Sequence, residues 1–190
     1  MIIDGGANIG LATLFLKQRY PQAKVTTIEA DPNINEILIK NCNTYDCQNV
    51  THRHGALWDE PGSLSFLSDN ADGGAAGDSS DASNEVPALL LSEIIADQHV
   101  DFLKLDIEGA EMRVIQEAKH ALPQVDRIFI EYHSIKGEEQ ELGKILKILT
   151  ESGLRYYVEA TCFIPKKPFI SEPQDGRFDH QVNIFAWREA

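Results

Sequence analysis

Basic residues are scarce in this chain. Seventeen lysines and arginines stand against 30 aspartates and glutamates among 190 residues, a formal net charge of −13. Phosphate backbones are held by basic faces, so nucleic acid is not an expected partner. Cysteine is scarce too: Cys42, Cys47 and Cys162 form no C-x-x-C. An odd, scattered set excludes a disulfide framework and reads as reduced thiols of a cytoplasmic protein. No apolar run approaches the ~20 residues that span a bilayer, so no membrane partner is expected. Asp4 and the glycines behind it interrupt the start before the apolar stretch of a signal peptide forms. The first strand has barely three residues ahead of its turn, an abrupt start that suits a longer native chain with an upstream segment. What is present is ordinary: 43% hydrophobic and 25% charged residues, in a length that suits one domain over residues 1–190 with a substantial core.

Strand and helix patterns alternate almost throughout, which predicts an α/β domain with a mostly parallel sheet. The order begins with a strand into Asp4, then a helix over 8–19 with Ile9, Ala12, Phe15 and Leu16 inward. A strand over 24–30 follows, then a helix from Asp31-Pro32 with Ile34, Ile37, Leu38 and Cys42 toward the sheet. Val50 to Leu57 reads as one strand, and Ser63 to Leu67 as a hairpin extension after Pro61-Gly62. Residues 69–85 form a polar loop without calcium-loop spacing; it is either a surface segment or a lid touching cofactor or substrate around Asn70 to Gly73. Alternation then resumes with a strand over 100–106, a helix over 110–120, a strand over 127–132, and a helix over 138–152 that Gly153 closes. Strands at 155–160 and 182–188 with no helix between them predict an antiparallel hairpin at one sheet edge.

The chemistry starts at Asp4-Gly5-Gly6-Ala7-Asn8-Ile9-Gly10, a glycine-rich turn between strand and helix. Open α/β sheets hold nucleotide-like cofactors at such turns. The spacing departs from the G-x-G-x-x-G of a dinucleotide site, and an acid precedes the glycines. An acid repels a pyrophosphate but suits the ammonium and sulfonium of S-adenosylmethionine (SAM). Glu29, 19 residues beyond Gly10, ends the second strand where a carboxylate can accept both ribose hydroxyls. The run Lys104-Leu105-Asp106-Ile107-Glu108-Gly109-Ala110-Glu111 puts Lys104 and Asp106 on one side of a strand. Glu108 and Glu111 fall in the first helical turn, where capping is the plain explanation. Glu131 and His133 share a side by period-two alternation, so Asp106, Glu108, Glu131 and His133 can converge on one rim.

Together these segments resemble the FkbM family of SAM-dependent methyltransferases, a branch of the class I methyltransferase fold. The matching stretches are Asp4 to Gly10, Glu29-Ala30-Asp31-Pro32, Gly55-Ala56-Leu57, Lys104 to Glu111 and Glu131-Tyr132-His133, within residues 1 to about 155. The resemblance implies a Rossmann-like seven-stranded sheet with the last strand antiparallel and helices on both faces. It also implies a cofactor set of Asp4, Gly6, Ala7, Asn8 and Gly10 at the amino-acid end of SAM. Glu29 would lie at the ribose, with Ala30 also in the cofactor set, Asp31 and Ala56 near the adenine, and Asp106 near the methionyl ammonium or the acceptor.

The expected reaction is O-methyl transfer to a hydroxyl of a small molecule or carbohydrate, with His133 or Glu131 as general base and Asp106 orienting the partners. A metal-assisted variant, with Mg²⁺ or Mn²⁺ on Asp106, Glu108, Glu131 and His133, is the less favoured form. The rivals are a SAM-binding module without catalysis and, behind it, a nicotinamide oxidoreductase. The loop over 161–181, with Phe163, Lys166, Lys167, Phe169 and Arg177, is the expected acceptor wall; its lysines suit an anionic acceptor or are a solvated turn. A homodimer is left open.

Overall fold

The computed structural model describes residues 1–67, 75–76, 84–161, 169 and 177–189. The expected alternation is present. In chain order the elements are β1 (Ile2–Gly5), α1 (Leu11–Arg19), β2 (Val25–Glu29), α2 (Pro32–Thr44), β3 (Val50–His54), β4 (Ala56–Trp58), β5 (Gly62–Leu67) and β6 (Ala75–Ala76). They continue with β7 (Asn84–Leu90), α3 (Leu91–Ile95), β8 (Phe102–Leu105), α4 (Glu111–Glu117), β9 (Arg127–Ile135), α5 (Leu142–Glu151), β10 (Arg155–Ala160) and β11 (Phe178–Trp187).

Seven strands form one sheet in the order β10-β11-β9-β8-β1-β2-β3. All its pairs are parallel except those of β11, which runs antiparallel to both β9 and β10. The chain therefore winds outward from β1 through β2 and β3, then returns to the other side of β1 with β8. That reversal opens a crevice outside the carboxyl ends of β1 and β8, the usual ligand position in such sheets. Strand side chains alternate: Ile3, Leu103, Leu105, Ile128 and Ile130 enter a buried core with Val114 and Ile115 of α4 and Ile145 and Leu149 of α5. On the opposite face, the α2 residues Leu38 and Cys42 cluster with Ala7.

Several sequence expectations need correction. The strand over Val50 to Leu57 is two strands, because at Gly55 the chain presses against β7. A Cβ there would lie 2.7 Å from the Pro87 carbonyl. β4 leaves the main sheet and pairs with β7 in a second sheet of order β4-β7-β5-β6. β5 is no hairpin with the strand before it but runs antiparallel to β7. The strand β7 itself was not legible, since Pro87 in its middle lacks the ladder donor that a strand interior expects.

Phe15 and Ile37 are not core residues but stay 66% and 43% exposed. The buried positions of α1 are Thr13 and Lys17, held by polar contacts: Lys17 Nζ donates to the carbonyls of Pro21 and Ala23 at 2.6 and 2.8 Å. β9 runs past Tyr132 to Ile135, placing His133 inside the strand. Of the loop expectations, Asn70 to Gly73, Phe163, Lys166 and Lys167 lie outside the described residues.

Candidate active site

The turn after β1 is wound by three residues of positive φ, Gly6 at 70°, Asn8 at 48° and Gly10 at 91°. At Gly6 a side chain is impossible, because a Cβ would lie 1.7 Å from the carbonyl oxygen of Asp106. The turn and the end of β8 are therefore in backbone contact, and the Lys104–Glu111 run is brought to the glycines. Every amide from Gly6 to Gly10 is already used within the protein. Gly6 and Ala7 both donate to the Ile28 carbonyl at 3.0 Å, and Gly10 to Ala7 at 2.9 Å. Asn8 N donates to Glu29 Oε2 at 2.8 Å, and Ile9 N to Asn8 Oδ1 at 2.6 Å. A pyrophosphate cradle needs such amides pointing outward, and this turn presents none over those five residues.

Carboxylates surround the turn instead. Asp4 is fully buried; its Oδ2 accepts from Thr13 Oγ1 at 2.6 Å, and its Oδ1 has no hydrogen bond. Lys104 Nζ lies 3.7 Å from that Oδ1, donates to the Gly6 carbonyl at 3.0 Å and to Asp106 Oδ2 at 3.2 Å. One ammonium thus ties β1, the turn and β8 together. Burial pushes the Asp4 carboxyl above its ordinary value, against the pull of Lys104 and Thr13. Asp4 therefore supports the turn from behind.

Glu29, also buried, accepts from Asn8 N and from Asp31 N at 2.8 Å each. Burial raises its pKa, while those amides oppose the rise. With the Ala30 amide also drawing on it, the carboxylate keeps part of its lone-pair capacity for a diol. Asp31 caps α2, its Oδ1 accepting from Asn33 N and Ile34 N. Ala56 is buried at the start of β4.

The rim beyond β8 and β9 brings together most of the expected set. Asp106, Glu108 and His133 each offer a ligating atom within 4.8 Å of the others, whereas Glu131 is not in that group. Glu131 lies half-buried on the same side of β9 as His133. Burial, with the charges of Asp106, Glu111 and Glu131 adding to it, pushes Glu108 up to about 7 against the pull of His133. Burial and Asp106 also raise Glu131. For His133, burial works against the charged ring, yet the Glu111 hydrogen bond and the carboxylates around it outweigh burial and raise its pKa.

The Methyltransferase FkbM domain family matches residues 4–156, which contain the turn, Glu29, the β8 run and the β9 rim. The chain belongs to this family. Among curated proteins, the chain is similar to "Methyltransferase 1" of Beauveria bassiana, 24% identical over 165 residues that cover 72% of this chain and 66% of that protein. Methyltransferase sdnD of Sordaria araneosa is 48% identical over 40 residues, 21% of this chain and 15% of that protein. The chain thus spans less than two thirds of the length of either. Among solved structures, a SAM-dependent O-methyltransferase of Thermotoga maritima is similar at a TM-score of 0.56 and 20% identity, over 100% of this chain and 59% of that one. That likeness shows the Rossmann-like class I methyltransferase fold.

In this FkbM domain, sequence reasoning undervalued Glu111. It does cap the helix start, its Oε1 accepting from Gly109 N at 3.0 Å and Ile107 N at 3.3 Å. It is also fully buried and meets His133, with Nδ1 at 3.1 Å and the His133 amide 3.4 Å from Oε2. The signal was its place at the helix start; Glu108, expected in the same first turn, instead lies before α4 in the left-handed region at φ 58°. A cavity of about 750 Å³ lies elsewhere, between α1 and residues 45–48, and contains none of the expected site residues.

Proposed function

We propose that this FkbM domain transfers a methyl group from SAM to a hydroxyl of a small molecule or carbohydrate. The observation that carries the reading is the turn at the sheet's reversal point, with its amides consumed from Gly6 to Gly10 and carboxylates on both sides. Such a crevice is hostile to a pyrophosphate and suited to a cationic nucleoside. Glu29 would hold the ribose with its remaining lone pairs, and Asp31 and Ala56 would border the base. Asp106 would face the ammonium or the acceptor. When bound, SAM supplies an electrophilic methyl: its S–CH₃ bond breaks as the O–CH₃ bond forms, leaving S-adenosylhomocysteine.

The protein's own residues position the acceptor and take its proton. His133 is a poor choice for that proton, since its side chain is only 2% exposed and its ring packs against Phe178. Glu131, half-buried beside it on the open side of β9, is the base we favour.

Calorimetric titration with SAM and with NADH tests the cofactor. SAM binding in the micromolar range supports the reading, and NADH binding in its place would overturn it. Release of S-adenosylhomocysteine across a panel of sugars, sugar nucleotides and hydroxylated small molecules then tests the reaction. Glu131→Gln should lower kcat by about 10²–10⁴ with SAM affinity unchanged. Equal loss of rate and SAM binding would make Glu131 structural, and SAM binding without product from any acceptor would favour a non-catalytic module.

A further inference from the structure

We propose that Asp106, Glu108 and His133 bind one divalent cation, and that Mn²⁺ is the ion their chemistry suits. Their three ligating atoms lie within 4.8 Å of one another. An octahedral ion with bonds near 2.1 Å sets cis ligands about 3 Å and trans ligands about 4.2 Å apart. The observed cluster needs side-chain adjustments of under about 1 Å to close on such an ion.

His133 separates this site from a mere group of acids. Its side chain is 2% exposed, and its Nδ1 lies 3.1 Å from Glu111 Oε1. That oxygen already accepts from the amides of Ile107 and Gly109, so Nδ1 is the donor of the pair. Nε2 is then left as the ring's ligating atom. It points at Glu108 Oε2, 3.7 Å away, beyond hydrogen-bonding distance. A carboxylate behind a histidine, setting its orientation and tautomer, is the usual support of a metal-bound imidazole. Asp106 accepts from Lys104 at Oδ2, and a carboxylate has further lone pairs for an ion beside that bond. Two carboxylates favour a hard cation and an imidazole a borderline one; Mn²⁺ accepts both, whereas Mg²⁺ is matched by the oxygens alone. The competing occupant of the gap is a proton, as an imidazolium paired with Glu108.

Three protein ligands leave roughly three positions open on a six-coordinate ion. Resting on the methyl-transfer reading, this site selects acceptors with two adjacent oxygens, such as a vicinal diol, which the ion would chelate and orient.

The test titrates the whole chain with MnCl₂, without SAM or acceptor, and follows the electron paramagnetic resonance signal of free Mn²⁺. One bound ion per chain is expected, with affinity at least 10-fold weaker in Asp106→Asn and in Glu108→Gln. Affinity should be unchanged in Asp126→Asn, which alters the exposed His99–Asp101–Asp126 group, the other metal-compatible cluster among the described residues. Pulsed resonance should show histidine nitrogen coupling that survives in His99→Gln, which removes the imidazole of the other group and leaves His133 as its source. No bound ion at millimolar Mn²⁺, no nitrogen coupling, or loss in Asp126→Asn alone would overturn the site. Mn²⁺ binding in a chain that ignores SAM would keep the site and sink the methyl-transfer reading. SAM turnover indifferent to EDTA, with no Mn²⁺ bound, would do the reverse.

Discussion

Asp4 is a carboxylate held in the interior by one hydroxyl and one ammonium. Thr13 Oγ1 at 2.6 Å is its only side-chain hydrogen bond to Oδ2, and Lys104 stands 3.7 Å from the oxygen that has none. Thr13→Val keeps the side-chain shape and removes the donor, leaving both buried oxygens without a hydrogen bond. A loss of about 2 kcal/mol in urea unfolding is expected, because an abandoned buried acceptor bears its desolvation cost alone. Thr13→Ser should retain most of the stability. A Thr13→Val protein as stable as the wild type would mean that Lys104 moves in to satisfy Asp4. At this scale Asp4, Glu29 and Asp106 were legible from type and spacing. Glu111 was only half legible: its capping bonds follow from local position, but its bond to His133 joins residues 22 apart in sequence.

The turn between β1 and α1 concentrates two kinds of glycine constraint. Gly6 and Gly10 both have positive φ, but a Cβ at Gly6 meets backbone, the Asp106 carbonyl at 1.7 Å. At Gly10 it meets only the end of the Leu38 side chain, at 2.6 Å, which yields more cheaply than backbone does. Gly10→Ala should therefore lower stability by about 1–2 kcal/mol, the left-handed penalty alone. Gly6→Ala should cost more than about 3 kcal/mol or prevent folding, since β1 and β8 must part. Thermal melts of the two variants decide the matter, and equal losses would contradict the contact. The central strands were readable as short runs of apolar and β-branched residues bounded by turn signals. β7 was hidden by Pro87, and the apolar face of α1 pointed the reading the wrong way. Phe15 looks like core by helical spacing, yet α1 buries Thr13 and Lys17 against polar partners instead.

For the molecule as a whole, acid should stabilise rather than weaken the fold at first. Burial raises the pKa of both Asp4 and Glu29 above their ordinary carboxylate values. Each binds its proton more readily folded than unfolded. Stability is then greatest below the unfolded values near 4 and declines as pH rises through the folded ones. A formal net charge of −13 adds repulsion in the same direction. His52, whose pKa burial lowers, opposes the trend below its ordinary value. The melting temperature in EDTA-containing buffer should accordingly be higher at pH 5 than at pH 8. A fall toward pH 5 would show that the hydrogen bonds to these carboxylates outweigh their burial.

The sequence alone determined the fold class, the succession of most elements along the chain and the acid-rich glycine turn, because these depend on periodicity and on residues near one another in the chain. Backbone sterics and side-chain alternation act locally and leave a local record. Only the tertiary structure decided that Gly6 rests on Asp106, that Glu29 closes over Asn8, and that Glu111 turns His133 toward Glu108. Those contacts join β1, β2, β8 and β9, and their geometry exists only once the sheet has brought distant segments side by side. The second sheet belongs with them, since β4 and β5 find their common partner β7 across a stretch of chain that carries no local sign of the pairing.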